Sequence, residues 1–90
     1  MAHVIVKHTV KDYGAWKPVF DADATRRRNA GCKSEQVYRD ADNPDAITVL
    51  LEFGSHDQAH AFANDPGLAE AMRKGGVISQ PDVSYLNAGE

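Results

Sequence analysis

Three side chains in this 90-residue sequence have the chemistry of an acid–base site: His8, Arg39 and Tyr85. The imidazole of His8 has an ordinary pKa near neutrality, so it can take a proton from a phenol or an activated carbon. Arg39 can stabilise the resulting phenolate or enolate, and Tyr85 can orient the substrate or donate a proton. We predict these three as catalytic residues. The alternative is a histidine that only bonds a backbone group and an arginine that only reaches solvent.

Aromatic and apolar side chains are predicted to bind a flat substrate beside these groups. The predicted substrate-binding residues are Tyr13, Trp16, Phe20, Phe62 and Met72. An indole ring stacks well on another flat ring, which favours Trp16 for this role. Trp16 and Phe20 are also four residues apart, the spacing of core residues on a helix. A filled core is therefore the alternative interpretation of the same residues.

Two other polar groups are weaker candidates. His56 and His60 are four residues apart and can hold a metal from one helix face, but no third ligand has convincing spacing. We therefore predict no metal site. The run Arg26-Arg27-Arg28 is interpreted as a solvated helix end that complements the helix dipole. Within it, Arg27 follows Asp23 by four residues, the spacing of a weak ion pair on a helix.

Alternating and helical periodicities define the elements that must position these residues. Strands are predicted at 3–10, 34–39, 46–53 and 82–86, and helices at 13–29 and 55–75, with a break in the second at Asp65-Pro66. Asp12 and Ser55 are predicted to cap the helices. Gly31 and the pair Gly75-Gly76 are predicted to end them.

The element order βαββαβ predicts one α+β domain, residues 1–90, with the ferredoxin-like fold. Its antiparallel sheet has the strand order 4-1-3-2, and both helices cover one face. This topology places His8 and Arg39 on the helix-covered face, at the end of the sheet where the first and second strands finish. The side chains that we expect to surround a single cavity there are His8, Tyr13, Trp16, Arg39 and Tyr85.

The opposite face of the predicted sheet carries too many apolar side chains to stay in water. Ile5, Leu50 and Leu86 lie on it, together with polar neighbours. A second copy of the sheet is the natural cover, and a chain this small gains stability from a partner. We therefore predict a homodimer whose sheets pack face to face. A monomer with a half-polar sheet is the alternative.

Composition narrows the classes of partner and compartment. The net charge of −3 and the pI near 5.7 argue against nucleic acid and anionic membrane as partners. The sequence has one cysteine and no apolar run near the roughly 20 residues that span a bilayer. The opening MAHVIVKH goes directly into a strand pattern, without the apolar segment of a signal peptide. These features predict a cytoplasmic protein.

Three stretches resemble the dimeric α/β-barrel proteins, which include relatives of antibiotic-biosynthesis monooxygenases and polyketide cyclases. They are VKHTVKDYGAWKPVFDA, VLLEFGSHDQAHAFANDP and GGVISQPDVSYL. The resemblance covers nearly the whole chain. It implies a homodimer, a pocket between helices and sheet in each subunit, and chemistry without metal, flavin or nicotinamide.

The catalytic sets of these relatives are not intact here. Cyclases of the olivetolic-acid type have a histidine and a tyrosine in the second-helix region, and NDPGLAEAMRKGG contains neither. The monooxygenases use an asparagine, a tryptophan and an arginine. Here His8 is closer to the asparagine's place, and the one tryptophan is on the first helix.

The resemblance implies a cofactor-independent monooxygenase or cyclase that acts on a small phenolic or polyketide-like substrate. The alternative is a non-catalytic, small-molecule-binding or accessory dimer of the same fold. A cavity that admits an aromatic ring beside His8 would favour the enzyme. A filled interface between sheet and helices would favour the alternative.

Overall fold

Four antiparallel strands form one sheet in the computed structural model, which describes residues 2–87 and residue 89. The strands are β1 (Ala2–Thr9), β2 (Cys32–Arg39), β3 (Ala46–Phe53) and β4 (Asp82–Asn87). Their order across the sheet is β2-β3-β1-β4. The predicted order 4-1-3-2 is confirmed, and with it the ferredoxin-like α+β fold.

The central strands β1 and β3 set the position of the candidate site. Every second residue of β3 is buried on the helix-covered face, from Ile47 to Phe53. His8 of β1 and Arg39 of β2 both pair with Ile47, so the three side chains share that face. The alternation in the sequence therefore predicted correctly which face His8 occupies.

Within the described residues four helices cover this face, where the sequence predicted two. They are α1 (Tyr13–Ala22), α2 (Ala24–Asn29), α3 (His56–Ala63) and α4 (Pro66–Gly75). The break at Asp65-Pro66 was predicted, but the continuous helix over 13–29 was wrong. At Asp23 the backbone N–H bonds the Phe20 carbonyl at 3.2 Å, which tightens the turn between α1 and α2. No helix in the described residues is long and apolar enough to cross a membrane.

The start of α1 is capped by a residue other than the predicted one. Asp12 occupies the N-cap position, but its side chain makes no capping hydrogen bond within the described chain. Instead, Oδ1 of Asp45, in the loop between β2 and β3, accepts the Tyr13 N–H at 3.0 Å. This bond ties the loop to the first turn of α1. For α3 the prediction is confirmed, since the Ser55 hydroxyl accepts from the Gln58 N–H.

Glycine is required where α1 and α4 come close together. Trp16 on α1 is 4% exposed, and a Cβ atom on Gly75 would lie 2.8 Å from its Cδ1. Any side chain at position 75 would therefore displace the indole. Gly76 then ends α4 with φ of 82°, in the left-handed region, as predicted from the sequence.

The uncovered face of the sheet has the apolar surface that the sequence predicted. Ile5 pairs with Leu50 at its centre, and both are half-buried in the isolated chain. Leu86 is 37% exposed and Tyr38 is 53% exposed. These four residues, Ile5, Tyr38, Leu50 and Leu86, form what we call the open sheet face.

Candidate functional site

A cavity of about 50 Å³ lies between the sheet and the helices. Its walls are mainly apolar and are formed by Val6, Trp16, Val19, Phe20, Val49, Leu51, Phe62, Leu68, Ala71 and Met72. Its polar wall residues are His8, Asp23 and Arg27. Four of the five predicted substrate-binding residues, Trp16, Phe20, Phe62 and Met72, are therefore brought together here.

Two aromatic rings in the cavity wall stack on each other. Trp16 and Phe20 are one helical turn apart on α1, and their ring centroids are 4.9 Å apart in a stacked arrangement. The ring of His8 meets the edge of Trp16 at 5.6 Å. Because the stacked faces are turned toward each other, a flat ligand in this cavity would contact the rings at their edges.

His8 is the one histidine in the cavity wall, and it is only 7% exposed. Burial lowers the pKa of His8 below its ordinary value of 6.5, and contact with its own backbone offsets this only in part. The imidazole is therefore neutral at pH 7 and able to accept a proton. Its Nδ1 atom is buried and makes no hydrogen bond to any residue in the described part of the chain.

His8 also contributes to a groove of about 290 Å³ at the end of the sheet where β1 finishes and β3 begins. The groove is formed in part by Asp40 and Ser79. The Ser79 hydroxyl accepts a hydrogen bond from the Thr9 N–H at 2.7 Å, which holds the segment after α4 against the end of β1. His8 thus borders the cavity and the groove, which gives the imidazole a route for exchange of protons with solvent.

Arg27 is a buried member of the site that was not predicted from the sequence. It was interpreted as part of a solvated helix end, which holds for Arg28, but Arg27 is 3% exposed. The predicted pair with Asp23 is also wrong, because Arg26 binds Asp23 and Arg27 binds Glu35. The available signal was spacing, since Arg27 follows Phe20 by seven residues and would share its face in the continuous helix predicted over 13–29.

Arg39 lies outside the cavity, contrary to the prediction. It is on the helix-covered face but at the end of edge strand β2, where it is exposed. Its Nε donates to the Pro44 carbonyl at 2.9 Å, and its guanidinium lies 3.8 Å from the Tyr13 ring centroid. Tyr13 is also absent from the cavity wall, at 5.9 Å from Trp16 between ring centroids. Both residues therefore pack together at the first turn of α1, outside the cavity.

Tyr85 is also outside the cavity, and the register of β4 explains why. Tyr85 pairs with Val4, four residues before His8 along β1. Its ring stacks on His60 of α3 with centroids 3.8 Å apart. The predicted ring of five side chains is therefore wrong. Of those five, the structure brings only His8 and Trp16 to the cavity.

The two histidines of α3 contact residues of β4. The Nε2 atom of His56 lies 2.6 Å from Oδ1 of Asn87, and His60 stacks on Tyr85. Across residues 2–87 and 89, no three histidine, cysteine, aspartate or glutamate side chains group as metal ligands would.

The lowered pKa of His8 predicts how stability depends on pH. The unfolded chain binds a proton near pH 6.5, whereas native His8 does so only at lower pH. Stability is therefore lost as pH falls from about 6.5 through the native pKa, by up to about 1.4 kcal/mol per pH unit. We expect urea titrations to show a larger loss of unfolding free energy between pH 7.5 and pH 5 for the wild type than for His8→Leu. Equal losses would contradict the lowered pKa.

No protein-family model and no curated protein matches this sequence. Solved structures do match it, at low identity. SnoaB from Streptomyces nogalater, described as a cofactor-independent oxygenase, has 18% identity and a TM-score of 0.78, over 99% of this chain and 93% of SnoaB. An antibiotic biosynthesis monooxygenase has 13% identity and a TM-score of 0.76, over 100% of both chains. Rv0793 from Mycobacterium tuberculosis has 18% identity and a TM-score of 0.74, over 99% and 95%. At these identities the likeness establishes a shared fold.

Proposed function

We propose, from the fold that this chain shares with antibiotic biosynthesis monooxygenases, that it is a cofactor-independent oxygenase of a small phenolic or polyketide-like substrate. The observation that carries the proposal is the position of His8. It is a buried, neutral base in the wall of an aromatic-lined cavity, and its Nδ1 has no partner in the described chain. A base of this kind has the geometry and the protonation state for proton abstraction.

The proposed reaction converts an activated methylene group of the substrate to a carbonyl group. Neutral His8 accepts one proton from the methylene, and the carbanion gives its electron pair to dioxygen, which forms a carbon-bound peroxide. Protonated His8 returns its proton to the outer peroxide oxygen. His8 then removes the remaining C–H proton as the O–O bond breaks, and the departing hydroxide takes that proton to become water. The carbon loses four electrons and dioxygen gains four, so no other reductant is needed.

The stacked pair of Trp16 and Phe20 has two roles in this proposal. Its ring edges hold the flat substrate in the cavity, and its apolar surface keeps water away from the carbanion. Ring binding needs more room than about 50 Å³, since a cavity that binds benzene measures about 150 Å³. Met72 and Leu68 of α4 are half-buried wall residues, and we propose that they move to admit the ring.

A non-catalytic binding or accessory protein is the second candidate function. The small cavity volume favours it, because the side chains fill much of the interface between sheet and helices. Both candidates use the same cavity, but only the enzyme needs His8 to exchange a proton. Cyclisation by proton abstraction is the third outcome, distinguished because it consumes no dioxygen.

Turnover with a panel of flat phenols, anthrones and linear polyketide mimics tests the proposed function. With the anthrones we expect dioxygen uptake and formation of the corresponding quinone at equal molar rates, as the balanced reaction requires. Binding of the same compounds without uptake or product would instead support the accessory protein. Product formation without uptake would support a cyclase.

We also propose that the protein is a homodimer assembled through the open sheet face. Two half-buried side chains, Ile5 and Leu50, and two exposed ones, Leu86 and Tyr38, lie on this face. Apolar groups gathered on one face are stabilised when a partner removes them from water. A second sheet with the same face is a matching cover, because two-fold contacts are self-complementary.

Leu50→Glu is expected to separate this dimer into monomers. Leu50 pairs with Ile5 at the centre of the open sheet face, so the glutamate would bury a charge in the interface. Sedimentation velocity should give a dimer for the wild type and a monomer for the variant. The matched control is Ala61→Glu, which adds the same charge at an exposed position of α3 and should remain dimeric. Identical sedimentation of all three proteins would contradict the proposed interface.

A further inference from the structure

Arg27 lies at the opposite end of the stacked pair Trp16 and Phe20 from His8. Its guanidinium is 3.7 Å from the centroid of the Phe20 ring, which stacks on Trp16, which in turn meets His8. The cavity wall therefore has a proton acceptor at one end of two flat rings and a cation at the other.

The hydrogen bonds of Arg27 leave one nitrogen without an acceptor. Nε donates to the Glu35 carboxylate, and Nη1 donates to the Phe20 carbonyl at 2.8 Å. Nη2 is buried and has no partner among the residues that the structure describes. A buried donor on a charged group is costly to leave unpaired, so an acceptor atom on a ligand would stabilise this arrangement.

The charges around Arg27 leave its free donors available. Asp23 also contributes to the cavity wall, but its carboxylate is held by Arg26 at 2.7 Å. Arg26 in turn binds Asp65 at 3.2 Å. The side chain of Glu35 is 38% exposed, so solvent weakens its hold on the positive charge of Arg27.

We propose that Arg27 binds an anionic oxygen of the ligand, a carboxylate or an ionised phenol, while the ligand's ring occupies the cavity beside Phe20 and Trp16. The inference rests on the proposed function in placing the ligand in the same cavity, and it names the substrate class as aromatic acids and phenolates. Charge-assisted hydrogen bonds to an arginine are stronger than bonds to a neutral acceptor, which gives the site its preference.

Trp16 makes this preference measurable without turnover. It is the one tryptophan in the chain and lies in the cavity wall, so its fluorescence reports binding directly. The probes are 4-nitrobenzoate and its neutral counterpart 4-nitrobenzamide, which have nearly the same size and both quench indole fluorescence. The wild type should bind the carboxylate at least about tenfold more tightly than the amide.

Three variants separate recognition by Arg27 from a structural role. Arg27→Gln should lose the preference for the carboxylate, and Arg28→Gln, at an exposed position of the same helix, should keep it. Glu35→Gln keeps Arg27 but removes the carboxylate that competes for it, so it should bind 4-nitrobenzoate several-fold more tightly than the wild type. If Arg27→Gln does not fold, the tighter binding of 4-nitrobenzoate by Glu35→Gln still tests the proposal. Loss of a structural ion pair alone would not raise that affinity.

The proposal is overturned if wild-type protein binds both probes equally or binds neither. It is also overturned if the affinity of Glu35→Gln for the carboxylate does not rise. These results are independent of the proposed oxygenase reaction. Binding that follows this pattern without dioxygen uptake would support the role of Arg27 and refute the enzyme.

Discussion

Replacing His8 with alanine is expected to lower kcat by about a hundredfold to ten-thousandfold, the usual contribution of a positioned general base. The reason is the position of His8, which is the histidine in the cavity wall and is neutral at pH 7. The binding of aromatic ligands should change little, because Trp16 and Phe20 still line the cavity. The measurement is dioxygen uptake at saturating substrate, with the fold of the variant checked by circular dichroism.

His60→Ala is the matched control for His8→Ala. His60 stacks on Tyr85 outside the cavity, so its loss removes an imidazole without touching the proposed site. We expect this variant to retain wild-type kcat. Wild-type kcat in His8→Ala would rule out the His8 mechanism, and a large loss in both variants would point to a general structural effect.

Trp16→Ala is expected to have the largest effect on stability. Trp16 is 4% exposed, packs against Gly75 across the α1–α4 contact and stacks on Phe20. Removing a buried indole costs about 3–5 kcal/mol, which is a large share of the roughly 5–15 kcal/mol that stabilises a typical domain. Urea denaturation with circular dichroism should show a strongly reduced unfolding free energy.

Two further variants are compared with Trp16→Ala to interpret its loss of unfolding free energy. Trp16→Phe keeps an aromatic ring between His8 and Phe20, so it should lose less stability and retain ligand binding with a raised KM. Ile78→Ala removes an apolar side chain that is 67% exposed and should change the unfolding free energy by less than about 0.5 kcal/mol. A Trp16→Ala protein as stable as Ile78→Ala would contradict the packing described here.

The fold was predictable because local patterns and connection rules agree in this sequence. The alternation over 46–53 defined β3 with its observed bounds, and Asp65-Pro66 placed the boundary between α3 and α4. Two local details were predicted wrongly, for different reasons. The turn at Asp23 depends on short-range bonds, from its N–H to the Phe20 carbonyl and from Arg26 to its carboxylate, which helical periodicity does not reveal. The cap at Tyr13 comes from Asp45, 32 residues away.

The candidate site was predictable only in part, because it depends on register and on partners far apart in the chain. Alternation placed His8 correctly, since that needs only the face of β1. The position of Tyr85 was predicted wrongly because it depends on the register in which β4 pairs with β1. No local pattern in the sequence specifies that register. Arg27 was missed because its burial depends on Glu35 of β2 and on the Phe20 ring.

The central claim is that the cavity beside His8 binds a small aromatic ligand. The most direct test is proton–nitrogen correlation NMR of the histidine side chains during titration with a flat phenol. The chain has four histidines, so each imidazole can be followed separately. We predict that the His8 signals shift with saturation and that those of His56 and His60 do not. Unchanged His8 signals at a concentration that saturates binding elsewhere on the protein would contradict the claim.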